Sequence, residues 1–168
     1  MKNNKKLNYF LWKTKNNNLI ENNVFMIKWK KDINILKPQI CNLYDALILK
    51  TNIKKTQISI LWTYDKEMKT LNKKFRNINK PTNILSFPSN FVENNIKYLG
   101  DIVLSYETIQ LEGNKKLNEN KNHILHLIVH GMLHLLGFEH NSPEAAKKME
   151  FLEINILSKF GIPNPYNK

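Results

Sequence analysis

The sequence predicts a single mixed α/β domain built on one sheet, with a histidine-bearing helix buried against that sheet. Three observations carry this expectation. β-rich and helix-periodic segments are interspersed along 168 residues, a pattern that layers helices on a sheet. The length and a hydrophobic fraction of 42% suit one core, with no internal repeat or change of composition to mark a boundary. Residues 119–136 are apolar on nearly every side, which places that helix inside the domain.

The elements follow in order. Residues 1–18 are rich in Lys and Asn and are set apart as a basic N-terminal extension. It reads as a solvated tail, or at most an edge strand around Leu7–Trp12, with an RNA-binding arm as the functional alternative. The folded domain is expected over 19–168, where LIENNVFMIK (19–28) can hold a first strand. Pro38 opens a helix whose apolar positions are Ile40, Leu43, Ala46, Leu47 and Leu49. QISILWT (57–63) is a strand. The next helix takes Asp65 as cap and buries Met68, Leu71 and Phe75. A loop over Arg76–Thr82 leads to a short strand, Ile84–Phe87, ended by Pro88, then a loop or hairpin over 90–98 and a strand over Leu99–Ser105. A short helix spans 105–112, followed by a Lys/Asn-rich loop and the apolar helix. Ser142-Pro143 starts the final helix, with a buried stripe of Met149, Leu152, Ile156, Leu157 and Phe160, ended by Gly161 and Pro163.

Net charge is +12 and the pI about 9.7, which favours a polyanionic partner. A chain crowded with Lys, Asn and Ile also reflects AT-rich codons, and composition alone accounts equally well for the excess. Cys41 is the sole cysteine, which rules out an internal disulfide, fits a small core residue and points to a reducing cytoplasm. LNYFLW is too short for a signal peptide, and no run of about 18 apolar residues offers a membrane span.

Chemistry concentrates in HLIVHGMLHLLGFEH, residues 126–140. His130 and His134 stand at i and i+4, one above the other on a helical face. Gly137 is placed to end the helix in a left-handed conformation, so that the chain can return His140 as a third ligand. Three imidazoles plus a water form an open, catalytic zinc site, with one Zn²⁺ expected per chain; copper, iron or nickel would also suit the donors. The alternative is three histidines without a metal. The metalloprotease pattern H-E-x-x-H places its base directly after the first histidine; here that position is Gly131, so a peptidase is disfavoured. His126 continues the stripe one turn earlier as a residue orienting the ligands or touching substrate, while His123 reads as a solvated rim residue.

HGMLHLLGFEH resembles the H-G-x-L-H-L-x-G-Y-D-H signature of the YbeY family of bacterial rRNA maturation factors. LNKKFRNINKPTNILSFP (71–88) and LGDIVLS (99–105) are similar to two further blocks of that family, as is the tail MEFLEINIL…GIPNPY. The resemblance covers most of residues 57–166. It implies an α+β fold with a mixed sheet of about four strands, several helices, and a metal-dependent endoribonuclease activity on single-stranded RNA. It also implies small-subunit rRNA 3′-end maturation, ribosome quality control, and small ribosomal subunit and assembly factors as partners, with no membrane. Arg76 matches the family's catalytic arginine, and its planar fork suits a phosphodiester; Lys80 would assist, and His130 is both ligand and catalytic. Asp101 matches a family aspartate, either orienting a ligand or a solvated strand-end charge. Glu139 stands where the family usually has aspartate, as base or as an orienting group, and Phe138 stands in place of tyrosine. Asn79, and sometimes Asn83, replace aspartates, which would weaken bonds within that loop. Two rivals remain open: a metal hydrolase of peptides or small phosphoesters, and a ribosome-assembly binding factor with a structural metal.

Overall fold

A computed structural model describes residues 23–27, 35–51, 53, 55–113 and 120–167. The expected extension over 1–18 lies outside the described residues. The elements run β1 (Asn23–Ile27), α1 (Lys37–Ile48), β2 (Thr56–Thr63), α2 (Asp65–Arg76), β3 (Ile84–Glu93), β4 (Ile96–Ser105), α3 (Tyr106–Gly113), α4 (Lys121–Leu135) and α5 (Pro143–Ser158). Four strands form one mixed sheet in the order β1-β2-β4-β3. β1 and β4 flank β2 in parallel, while β3 pairs antiparallel with β4 at the edge. This is the α+β domain with a mixed sheet of about four strands that the family resemblance implied.

Side-chain alternation sends successive strand residues to opposite faces, and the two faces differ. Ile58, Ile60 and Trp62 of β2, with Ile102 and Leu104 of β4, join α1, α4 and α5 in the main core. Val103, between them, packs with Met68 of α2 and Leu85 in a smaller cluster on the other face, with Leu61, Leu71 and Phe87 around it. Helix α4 contributes nine buried residues from Ile124 to Leu135, so the expected all-round apolar helix lies across the sheet. The α1 stripe stops at Ile48; Leu49, expected to belong to it, is the C-cap and is exposed.

Two local expectations change, and at 90–98 the hairpin of the two expected alternatives is found. Pro88 does not end its strand: β3 continues to Glu93, with a register shift between Pro88 and Phe91. An edge strand accommodates a residue that lacks an N–H. The segment at 90–98 is a tight hairpin, with Glu93 opposite Ile96 and Asn94 and Asn95 at φ 50° and 63°. Two left-handed residues between paired strands give the turn whose twist matches the sheet. Asp65 is the first residue of α2 and not its cap, since Tyr64 holds the extended N-cap position. The Asp65 carboxylate instead accepts hydrogen bonds from Ser105 Oγ and, at 2.7 Å, Thr108 Oγ1. Ser142 does cap α5, its hydroxyl accepting from Ala145 N at 3.2 Å.

Candidate metal centre

Helix α4 meets the sheet at Gly131. A Cβ there would come within 2.9 Å of Ile84 Cδ1 and 3.1 Å of Ile102 Cδ1, so the glycine lets the helix press against β3 and β4. The position that carries glutamate in a metalloprotease therefore faces packed core, and no general base can stand there.

The opposite side of α4 carries the histidine stripe. Past Leu136 the helix closes with two backbone bonds, Gly137 N to His134 O at 3.0 Å and Phe138 N to Leu133 O at 3.0 Å, with Gly137 at φ 88°. This paired cap needs a left-handed residue at its centre, and it swings the chain back so that His140 faces the helix it has left. One ring nitrogen from each of His130, His134 and His140 lies within 4.8 Å of the others. His130 and His134 are half-buried, and His140 is exposed.

The hydrogen bonds decide which nitrogens are available. His130 Nδ1 is 2.8 Å from Glu153 Oε1, and His134 Nδ1 is 2.9 Å from the Phe138 carbonyl. Both partners are acceptors, so each Nδ1 carries its hydrogen and each Nε2 keeps its lone pair. Those two Nε2 atoms stand 3.1 Å apart. At that distance the two nitrogens either share a proton in a hydrogen bond or face a common cation. Two nitrogens sharing an ion with bonds of about 2.05 Å can be at most about 4.1 Å apart, so the helical pair already meets the requirement. His140, on the exposed bend, is the ligand free to adjust. Burial, followed by the proximity of His130, lowers the His134 pKa and favours the neutral imidazole that a metal requires. The donor set fits a divalent borderline metal.

Glu153 of α5 anchors the stripe. Its carboxylate is fully buried and accepts from three donors: His130, His126 Nε2 at 2.9 Å and the Tyr166 hydroxyl. Burial alone would raise its pKa, but the bonds from His126, His130 and Tyr166 more than offset this and hold it down at about 2. Sequence reasoning missed Glu153, although a signal was present. It lies four residues after Met149 and three before Ile156, within the apolar stripe of α5, and a carboxylate in that position requires donors. His126 bonds the same carboxylate as His130, on its other oxygen.

The orienting role offered for Asp101 is corrected by the geometry. Asp101 shares the strand face of Val103, away from α4, and accepts a hydrogen bond from Tyr98, whose hydroxyl also bonds Ser59 at 2.9 Å. It is fully buried, so it is not a solvated strand-end charge either. Burial, only partly offset by the Tyr98 bond, raises its pKa to about 7. Glu139 is exposed, with a carboxylate oxygen 3.8 Å from His134 Nδ1; the Phe138 carbonyl, not Glu139, fixes that ring.

Arg76 closes α2 and is exposed, as is Lys80. The loop between them is held by Asn72, whose Nδ2 donates to the Lys80 carbonyl at 2.7 Å. It continues into Ile84, the side chain that meets Gly131. Asn83 does not loosen this loop. Its Oδ1 accepts from Ile84 N at 2.7 Å, and its Nδ2 donates to Glu112 at 3.1 Å; an aspartate could not donate this second bond. Glu112 also pairs with His123 at 2.9 Å, so His123 is held at the rim and is not simply solvated.

The family model described as Endoribonuclease YbeY matches residues 21–161. The chain belongs to the endoribonuclease YbeY family. An Endoribonuclease YbeY of Bradyrhizobium diazoefficiens is 40% identical over 121 residues, covering 68% of this chain and 66% of the relative. Another, from Methylocella silvestris, is 41% identical over 112 residues, covering 67% of this chain and 64% of the relative. The chain thus spans about two thirds of the length of these YbeY relatives. A solution structure, TM1509 from Thermotoga maritima, aligns over 87% of this chain and all of its own length, with a TM-score of 0.52 at 22% identity; it shares the fold. Among the described residues, no helix is long and apolar enough to cross a membrane.

Proposed function

We propose that this protein is a zinc-dependent endoribonuclease that cleaves single-stranded RNA, with small-subunit ribosomal RNA near its 3′ end as the substrate. On this reading it acts in the cytoplasm on ribosomal particles, in rRNA maturation and ribosome quality control alongside small-subunit assembly factors. The observation that carries the hydrolase reading is the pair of Nε2 lone pairs 3.1 Å apart, with His140 closing the trio. The RNA substrate and the ribosomal setting rest on family membership. A divalent cation held by His130, His134 and His140 supplies Lewis acidity and activates water near neutral pH.

The chain's own residues do the rest. Glu153 and the Phe138 carbonyl fix the tautomers of His130 and His134, so both rings present Nε2 to the ion. His126 and Tyr166 keep Glu153 ionised and in place. Glu139, exposed and 3.8 Å from His134 Nδ1, is the carboxylate proposed to take the proton of the attacking water. Arg76, with Lys80, neutralises negative charge building on the phosphate oxygens. Among the described residues, only three side chains gather at the ion position, and a site with three protein ligands leaves room for substrate, whereas structural zinc sites are closed by four. The packed surroundings of Gly131 weigh against peptide hydrolysis.

Elemental analysis of purified protein, paired with cleavage of single-stranded RNA, casein and a simple phosphodiester before and after chelation, tests the proposal. About one zinc per chain and RNA cleavage lost on chelation and restored by zinc are expected. Chelation-resistant RNA cleavage, or activity confined to casein, would overturn it.

A further inference from the structure

We infer that the solvent face of α2 is a track for the phosphate backbone of single-stranded RNA, leading the strand toward Arg76 and the loop at 77–83. The inference rests on the RNA-cleaving reading and adds a binding surface outside the metal centre. Lys66, Lys69 and Lys73 recur at i, i+3 and i+7, and Thr70, Lys74 and Asn77 fill the neighbouring positions. These residues are all exposed, while Met68 and Asn72 on the opposite face are buried. With a rise of about 1.5 Å per residue, the three lysines are spaced on the order of 5 Å apart along the axis, the scale of successive phosphates on a strand.

The charge on this face is uncompensated. The ion pairs found among the described residues all involve histidines, so no lysine of α2 is in one. Asp65 is committed to Ser105 and Thr108, and Glu67 lies to the side of the lysine row. Lys66, Lys69, Thr70, Lys73 and Lys74, with Asn77 and Asn79, line a shallow, open depression. A depression edged by ammonium and amide groups suits phosphate and ribose oxygens. The row carries no apolar side chain to insert into a lipid surface, which a membrane-binding helix requires. At its C-terminal end the row runs into Arg76 and the loop that reaches Ile84 and Gly131. A strand following the lysines therefore arrives at Arg76 and the loop that leads into β3.

The test compares the full-length metal-loaded protein with K66Q/K69Q/K73Q, and with a control triple of equal charge loss on other surfaces, K37Q/K50Q/K159Q. Binding of a single-stranded RNA of about 20 nucleotides is measured by fluorescence anisotropy from low to high salt, beside steady-state cleavage. Each released counterion contributes a slope of about 0.7 for single strands. The α2 variant should lose about 2 from the log–log salt slope and bind roughly 10- to 100-fold more weakly at 0.1 M salt. KM for the long RNA should rise with kcat, zinc content and cleavage of a trinucleotide unchanged. Equal affinity and slope for the α2 variant and the parent, or an equal loss in the control triple, would overturn the track. Stronger lysine-dependent binding to phosphatidylserine vesicles than to RNA would also overturn it and assign the face to a membrane. A parent protein that binds RNA through these lysines yet never cleaves it would instead defeat the nuclease reading and leave the track standing.

Discussion

Replacing Glu153 with glutamine tests how the ligand stripe is held. The carboxylate receives three donors, His130 on one oxygen and His126 and Tyr166 on the other. Glutamine has nearly the same volume, but its amide must turn an NH₂ toward at least one of those donors. An exposed glutamate has a pKa of 4.5, and in this fold the value is lowered to about 2. A depressed pKa means that the ionised form is favoured by folding. Its stabilisation is present above pH 4.5 and is lost as the pH falls through about 2. At 1.36 kcal/mol per unit, the group contributes roughly 3 kcal/mol at neutral pH. Glu153→Gln should therefore unfold more easily at pH 7 by roughly that amount and lose the steep acid limb between pH 4.5 and 2. Zinc should bind about 10- to 100-fold more weakly, as when other residues that orient metal ligands are removed. Denaturant titrations of metal-free protein across pH, and zinc competition against a chromophoric chelator, provide the readouts. An acid limb that overlays the parent, together with unchanged zinc affinity, would refute the role given to Glu153.

Three further outcomes are expected. Gly131→Ala pushes a methyl into Ile84 and Ile102 and should cost about 1–3 kcal/mol, read by thermal unfolding; unchanged stability would mean that α4 does not press on the sheet as described. Asp101→Asn should stabilise the protein at pH 8. The raised pKa of about 7 means that the neutral acid is favoured by folding, an advantage complete below pH 3.8 and lost as the pH rises through about 7. The gain is up to about 4 kcal/mol and should shrink at pH 5; an equal effect at both pH values would exclude ionisation as its cause. Arg76→Ala should lower kcat for RNA by about 10²–10³ with zinc content unchanged, and full activity would remove Arg76 from the mechanism.

Where the sequence was legible, one local periodicity decided the outcome. Residues 130–140 reveal the trio because helical spacing and a helix-ending glycine act within a few residues. The apolar helix and the strand at 57–63 were readable for the same reason. What escaped depended on partners distant in sequence. Pro88 makes sense within a strand only once β3 is known to be an edge strand paired along its length with β4. Asp101 was placed by resemblance beside the histidines, and only the alternation of β4 against two differently packed faces turns it away. Glu153 was hidden as one polar residue in an apolar stripe, although its burial among two imidazoles and a phenol makes it the pivot of the centre.

The span between His130 and Glu153 has a consequence for how the protein matures on its own ribosome. His130 is synthesised 23 residues, and His134 19 residues, ahead of the carboxylate that aims the first of them. A nascent chain that has emerged only as far as His140 holds all three imidazoles, but with the first ring unaimed. The tightest metal capture is therefore expected only once α5 has docked, with the affinity before that about 10- to 100-fold lower. On the proposed reading, the site reaches its full metal affinity only after the helix that follows its last ligand has packed.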